Sequence, residues 1–300
     1  MPENQAIYYP PDGITGRNDL DIINPSEVHT LDEMFRERVR RSANKVAYTE
    51  YDDQFEDWLD YSWADIAYQV ERWQVALQDA GLDKGDRIAI RLKNGIDWVI
   101  CDQAALRLGL VVVPLYCEDR PDNINYVLAN SSSKLLFIDS KEDWLEILEA
   151  DGEGTTQLSQ LKHVIVRQPF NTPRPQSRIK LAKEWLPETG QHLERGMAEA
   201  DDLASIVYTS GTTGKPKGVM LTHKNMLSNA YAGMRCVQLL PTDTMLSFLP
   251  LSHTFERTIG YYAGLMSGVH TYYNRSIPEL VDDLMAVSYT HLTLPTIYSV

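Results

Sequence analysis

Ten consecutive residues, Thr209-Ser210-Gly211-Thr212-Thr213-Gly214-Lys215-Pro216-Lys217-Gly218, bring together three glycines, four hydroxyls and two lysines. These are groups that hold a polyphosphate. Glycines let backbone N–H groups approach an anion and accept left-handed backbone angles. Hydroxyls donate to phosphate oxygens, and ammonium groups offset their charge through bonds worth roughly 1.5–3 kcal/mol each. The stretch is not a Walker A loop, which needs Gly, four residues, then Gly-Lys-Ser/Thr. Counted from Gly211, Pro216 stands where the second glycine belongs, and counted from Gly214, Val219 does. A flexible connector can share this composition, but not the lysine spacing together with apolar runs on both sides. Those runs, 203–207 and 219–221, read as strands that position the loop, and a helix is expected over 224–238.

A second stretch with chemical content is Leu249-Pro250-Leu251-Ser252-His253-Thr254-Phe255-Glu256-Arg257. His253 follows an expected strand at 244–248 and a proline turn, and opens an expected helix at 255–266. Taken alone, a histidine in such a place is more often structural than functional.

Residues 208–223, YTSGTTGKPKGVMLTH, resemble the phosphate-loop signature of the AMP-forming acyl-CoA synthetases, within the adenylate-forming superfamily. The His-x-Phe-Glu-Arg form of 253–257 is similar to the long-chain fatty-acid–CoA ligases in particular, and the two blocks stand in the family's order. The resemblance implies a two-step reaction. A carboxylate attacks the α-phosphate of ATP and releases pyrophosphate, and the coenzyme A thiol then displaces AMP. It implies phosphate contacts from Thr209, Ser210, Gly211, Thr212, Thr213 and Gly214, with Lys215 and Lys217 as charge partners. Lys217 and His253 are the catalytic candidates, and Thr209 or Thr212 would stand near Mg²⁺. His253, Phe255, Tyr261 and Gly264 would border the acid and adenylate pocket, with Glu256 and Arg257 as a supporting ion pair. Tyr261, Tyr262, Gly264 and Gly268 serve equally well as core residues.

Expected substrates and cofactors are therefore a fatty acid, ATP, Mg²⁺ and coenzyme A. A medium-chain or aryl acid is the alternative within the class, and a non-catalytic nucleotide- or acyl-binding chain the alternative outside it. The family's Tyr-Gly-x-Thr-Glu block and C-terminal catalytic lysine are not in this sequence, so the 300 residues are expected to be inactive or nearly so alone. Acyl chain length and oligomeric state stay open.

The elements around these motifs read as an α/β chain. After an irregular lead-in at 1–28, Thr30 and Glu33 have capping-box form for a helix to 42. Its Arg36–Arg41 run is expected to be a solvated face. Strands at 45–51 and 58–61 form a hairpin around Asp52, Asp53, Glu56 and Asp57, which read as a solvated turn, not a metal site. Ser62 caps a helix to 80, whose Trp63, Ile66, Val70, Trp73 and Leu77 read as core. Strands at 87–92, 110–114, 135–138 and 163–167 alternate with helices at 95–108, 123–129 and 141–149, which implies parallel pairing. Loose stretches at 151–156 and 168–178 read as surface loops. A helical region at 185–197, a strand at 269–273 and a helix at 278–286 complete the reading. The fold expected is the N-terminal domain of an adenylate-forming enzyme, parallel-rich sheets flanked by helices, truncated, with residues 29–286 an incomplete AMP-binding domain.

Residues 287–296 can be encoded by gtctcttatacacatctgacgctgccgacg, a string that resembles a transposon-end sequencing adapter. The sequence therefore reads 287–300 as a non-native tail in which Ser288 and His291 form no catalytic pair. Its other reading is a β-branched strand.

Composition bounds the rest. The formal charge is −14 and hydrophobic content 43%, which argues against a nucleic-acid surface. Three scattered cysteines fit a reducing compartment, with Cys101 and Cys236 expected in the core. Neither a signal peptide nor an apolar membrane span is evident. The chain reads as cytoplasmic, with peripheral membrane contact left open.

Overall fold

The computed structural model describes residues 21–151, 158–170, 178–193, 196–209, 215–237, 239–287 and 291–292. The first helix, α1 (Leu31–Ser42), starts where Thr30 Oγ1 accepts from the Glu33 N–H at 3.3 Å. The Glu33 carboxylate takes the N–H of His29 at 2.7 Å, so the cap is one residue wider than the expected box. Strands β1 (Val46–Asp52) and β2 (Asp57–Ser62) form the antiparallel hairpin. In its turn Asp52 accepts from the Gln54 and Phe55 N–H groups. Helix α2 (Trp63–Asp79) follows, with a reciprocal capping box between Ser62 and Asp65.

A β/α alternation comes next: β3 (Arg87–Arg91), α3 (Ile96–Arg107), β4 (Val111–Pro114), α4 (Pro121–Ser131), β5 (Ser133–Ile138), α5 (Lys141–Asp151) and β6 (His163–Val166). Beyond it lie β7 (Ile179–Leu181), α6 (Ala182–Trp185), β8 (Leu203–Thr209), β9 (Lys217–Thr222), α7 (His223–Cys236) and β10 (Thr244–Ser247). A π-helix (Glu256–Ala263) runs into α8 (Gly264–Ser267), then β11 (His270–Tyr273), a 3₁₀ turn (Ile277–Glu279), α9 (Leu280–Ala286) and β12 (His291–Leu292).

The strands form two sheets. The seven-stranded sheet has the order β7-β6-β5-β3-β4-β8-β9, parallel except for the β8–β9 hairpin. The five-stranded sheet has the order β12-β10-β11-β1-β2, parallel except for β1–β2. Side chains on the central strands of the larger sheet alternate between two apolar clusters. Ile88, Ile90, Val112, Leu135 and Phe137 face one; Ala89, Val113, Leu136 and Ile138 face the other. A sheet covered on both faces needs such continuous apolar strands, which is why these segments lack a polar face. The first cluster also takes the α2 stripe Trp63, Ile66, Val70, Trp73 and Leu77, all at most 2% exposed. Each such side chain contributes roughly 1.5–3 kcal/mol by burial.

Three sequence expectations are corrected, and one strand is added. The Arg36–Arg41 run is not wholly a solvated face: Arg38 is fully buried, donating to the carbonyls of Leu265 and Met266 and to Asp21. It shares the helix face of Leu31, Met34 and Phe35, which turns inward. Cys236 is exposed while Cys101 is buried, because Met234 and Ala230 mark the inner face of α7 and position 236 lies well around from it. The region expected to be helical at 185–197 is helical only to Trp185. Beyond it the described residues run without helix along α2, where Arg72 Nε donates to the Pro187 carbonyl at 2.8 Å. The short strand β7, at 179–181, lies where the sequence assigned no element.

Candidate active site

Strand β8 leads into the glycine-rich loop and β9 leads out, with Thr209 paired to Lys217 as the last rung of the ladder. Both side chains are exposed, and partners across a rung share a face of the sheet. The rung therefore places one hydroxyl and one ammonium at the loop's base. Ser210, Gly211, Thr212, Thr213 and Gly214 lie outside the described residues. Helix α4 steadies the base from one side with two residues a turn apart. The Tyr208 hydroxyl donates to Asn130 Oδ1 at 2.6 Å, and Lys215 Nζ stands 5.1 Å from the Tyr126 ring centroid. Opposite Tyr208, a Cβ on Gly218 would come within 2.8 Å of Ile206 Cγ2 and 3.1 Å of Tyr208 Cζ, so the position admits only glycine without a shift.

At the end of the motif, His223 is fully buried at the start of α7 and accepts from the Leu31 N–H through Nδ1 at 3.2 Å. Burial pushes its pKa down to about 4, so it is neutral and structural. The motif thus ties β9 to α1 as well as shaping the loop.

The His253 segment comes from the five-stranded sheet. Its backbone is held by Asn94, at the β3–α3 junction of the other sheet. Asn94 Nδ2 donates to the Leu249 carbonyl at 2.6 Å and to Ser247 Oγ at 3.0 Å, and Asn94 Oδ1 accepts from the Leu251 N–H at 2.8 Å. Between this clamp and the π-helix, His253 and Phe255 are exposed, and His253 Nδ1 accepts from the Phe255 N–H at 3.2 Å.

The expected Glu256–Arg257 pair is replaced by two separate partnerships. Ser247 Oγ donates to Glu256 Oε1 at 2.7 Å. Arg257 reaches α3 instead, pairing with Asp102 at 2.6 Å, both side chains at most 1% exposed. Successive residues of a helix point in different directions, which carries the two charges apart. Burial lifts the Asp102 pKa, against the pull of Arg257 and the Tyr262 and Tyr261 hydroxyls. Tyr261 is buried, its hydroxyl accepting from Gln103 at 2.5 Å and donating to Asp102 at 3.2 Å. Gly264 is also buried, where an added Cβ would meet Val269 at 3.2 Å. A cavity of about 400 Å³ opens elsewhere, between α1 and α2, lined by Phe35, Val39, Val70, Gln74, Gln103 and Arg107.

Sequence reasoning missed Asn94, Asp102 and Ser205, the groups that hold these segments. One signal was present: Asp102-Gln103 interrupts an apolar helix otherwise reading Trp98-Val99-Ile100-Cys101 and Ala104-Ala105-Leu106. Among the described residues no group of His, Cys, Asp and Glu is arranged to hold a metal ion. The oxygen that could serve one at the loop's base is that of Thr209. No helix among them is long and apolar enough to cross a membrane.

The family model of the AMP-binding enzymes matches residues 35–298. Fatty acyl-CoA synthetase A of Dictyostelium discoideum is 33% identical over 248 residues, covering 78% of this chain and 35% of that protein. Long-chain-fatty-acid–CoA ligase 1 of Homo sapiens is 29% identical over 293 residues, covering 91% of this chain and 40% of that protein. The chain thus spans well under half the length of these relatives. Among solved structures, a fatty acyl CoA synthetase of Mycobacterium tuberculosis superposes with a TM-score of 0.71 at 22% identity, covering 83% of this chain and 45% of that one. The anthranilate CoA ligase AuaEII, in complex with anthranoyl-AMP, does so with 0.75 at 19% identity, covering 88% and 49%.

Proposed function

Because this chain belongs to the AMP-binding enzyme family, we propose that it forms part of a ligase that activates a fatty acid as its acyl-adenylate and transfers it to coenzyme A. One observation carries the reading: the Thr209–Lys217 rung, which sets a hydroxyl and an ammonium at the mouth of the glycine-rich loop. On this reading Lys217 and Lys215 take charge from the leaving pyrophosphate, by electrostatics set in place before reaction. Thr209 donates to a phosphate oxygen. Ser210, Gly211, Thr212, Thr213 and Gly214 supply further donors. Mg²⁺ would be held by phosphate oxygens of ATP together with the Thr209 or Thr212 hydroxyl, all hard oxygen ligands, and it supplies charge neutralisation when bound. His253 and Phe255, both exposed on one segment, face the carboxyl end of the acid, with Tyr261 and Gly264 behind them.

Long-chain acids lead because the His253-x-Phe255-Glu256-Arg257 form resembles that group and relatives so named match the chain. The reading keeps the cytoplasmic setting expected from the sequence, and a peroxisomal one is its alternative because two similar proteins carry that word in their names.

Titration of Mg·ATP into the 300-residue chain tests the loop. Saturable binding with a Kd of about micromolar order is expected, and Lys217→Met should weaken it about tenfold with the melting temperature held. Absence of saturable binding, or a variant that binds as well as its parent, overturns the reading. Competition among palmitate, octanoate and benzoate for a bound acyl-adenylate mimic then separates long-chain, medium-chain and aryl acids.

A further inference from the structure

Arg257 ends the segment that carries His253, and its own N–H donates to the His253 carbonyl at 3.0 Å. Its side chain forks. Nη1 donates to Ser205 Oγ on β8 and Nη2 to Asp102 Oδ1 on α3, each at 2.6 Å. Ser205 in turn donates to the Val112 carbonyl on β4 at 2.7 Å. The guanidinium also lies 5.1 Å from the Trp98 ring centroid. On the far side of Asp102, the Tyr262 hydroxyl donates to Oδ2 at 2.8 Å. Ser205, Trp98 and Tyr262 thus surround one charge pair with 1% or less exposed, the five side chains coming from three elements.

Burying an ion pair this deeply is weak evidence for stability, since the lost hydration offsets the attraction, and apolar replacements often do as well. What a forked guanidinium gives that apolar packing does not is a fixed direction. Here the fork joins the π-helix, from the five-stranded sheet's side, to β8, the strand that enters the phosphate loop.

We propose that Arg257, held by Asp102, is a positioning residue that sets the His253–Phe255 segment relative to the Thr209–Lys217 rung at the end of β8, so that a single acyl-adenylate can touch both. The site reading itself rests on the proposed function. Asn94 holds the segment before His253 and Arg257 holds it after, both to the seven-stranded side. The two exposed side chains stand between the clamps. A nucleotide alone needs only the side of the rung, whereas an acyl-adenylate needs the rung and the segment at their fixed separation.

The test uses the 300-residue chain with Arg257→Met/Asp102→Leu, which removes both charges and keeps the volume apolar, and Arg257→Lys, which keeps the charge without the fork. Amide hydrogen exchange is read first. In the double variant, exchange across 250–257 should accelerate about tenfold while β5 and β6 stay as in the parent. Arg257→Lys should fall between. The ligands are Mg·ATP and an acyl-sulfamoyl-adenosine, a stable acyl-adenylate mimic. The mimic's affinity should fall about tenfold in the double variant while that for ATP changes less than about threefold. Unchanged exchange across 250–257, or equal losses for ATP and the mimic, overturns the proposal. A parent chain that binds neither ligand defeats the functional reading, and the exchange data still decide whether the pair holds the segment.

Discussion

His223 shows how a motif residue can act by staying uncharged. Its folded pKa near 4 lies below the ordinary value of 6.5, so between those values the unfolded chain binds the extra proton. Stability contributed by the neutral form is present above pH 6.5 and is lost as pH falls toward 4. Compared with His223→Gln, the parent should lose up to about 3 kcal/mol between pH 7 and pH 4. Glu50 works the other way: burial raises its pKa to about 7, so its protonated form is favoured on folding. Its contribution is complete below pH 4.5 and fades as pH rises through 7. The two slopes oppose each other between pH 4.5 and 6.5, and urea unfolding of His223→Gln and Glu50→Gln beside the parent separates them. A gap that does not change with pH for either variant sinks the assignment. At Gly218, alanine should cost about 1–3 kcal/mol, because its Cβ presses on Ile206 and Tyr208. A melting temperature equal to the parent's would contradict the contact.

Between elements, the charge pair joining α3 to the π-helix makes an asymmetric prediction. Arg257→Met alone leaves Asp102 buried without its cation and should cost about 3–5 kcal/mol. Adding Asp102→Leu should restore most of that loss. Urea unfolding of the parent, both single variants and the double variant closes the cycle, and additive losses would show no coupling. Within the π-helix, packing fixes one residue type. The Glu256 carboxylate folds into the space where a Cβ on Gly260 would sit, so a glycine is required one turn on. Capping is simpler: Ser62→Ala removes the oxygen that accepts from Asp65 N–H and should cost about 1 kcal/mol, read as a lowered melting temperature.

Across the whole molecule, the smaller sheet draws its strands from distant parts of the chain, β1 beside β11 and β10 beside β12. Residues 291–292 pair there in register with Met245 and Leu246, inside the stretch whose coding resembles an adapter. Reading the source gene across codon 287 decides between the two readings of that stretch. A genomic frame through residue 300 removes the adapter reading, and a break at codon 287 removes the native strand.

The α/β alternation from β3 to β6 was legible because each buried strand is a short apolar run and helix-length segments separate the runs. The β8 and β9 strands were legible because two apolar runs flank a contiguous stretch of glycines, hydroxyls and lysines. The α2 core stripe followed from spacing alone. The site's supports were not legible. Arg257 finds Asp102 across 155 positions, Asn94 finds Leu249 across 155, and Arg38 finds Leu265 across 227. Sequence by itself determined most of the elements and which residues gather within one turn or loop, since backbone preference and periodicity are local. Only the tertiary structure decided which charge meets which, because burial in a shared core selects partners by position in space, whatever their distance along the chain.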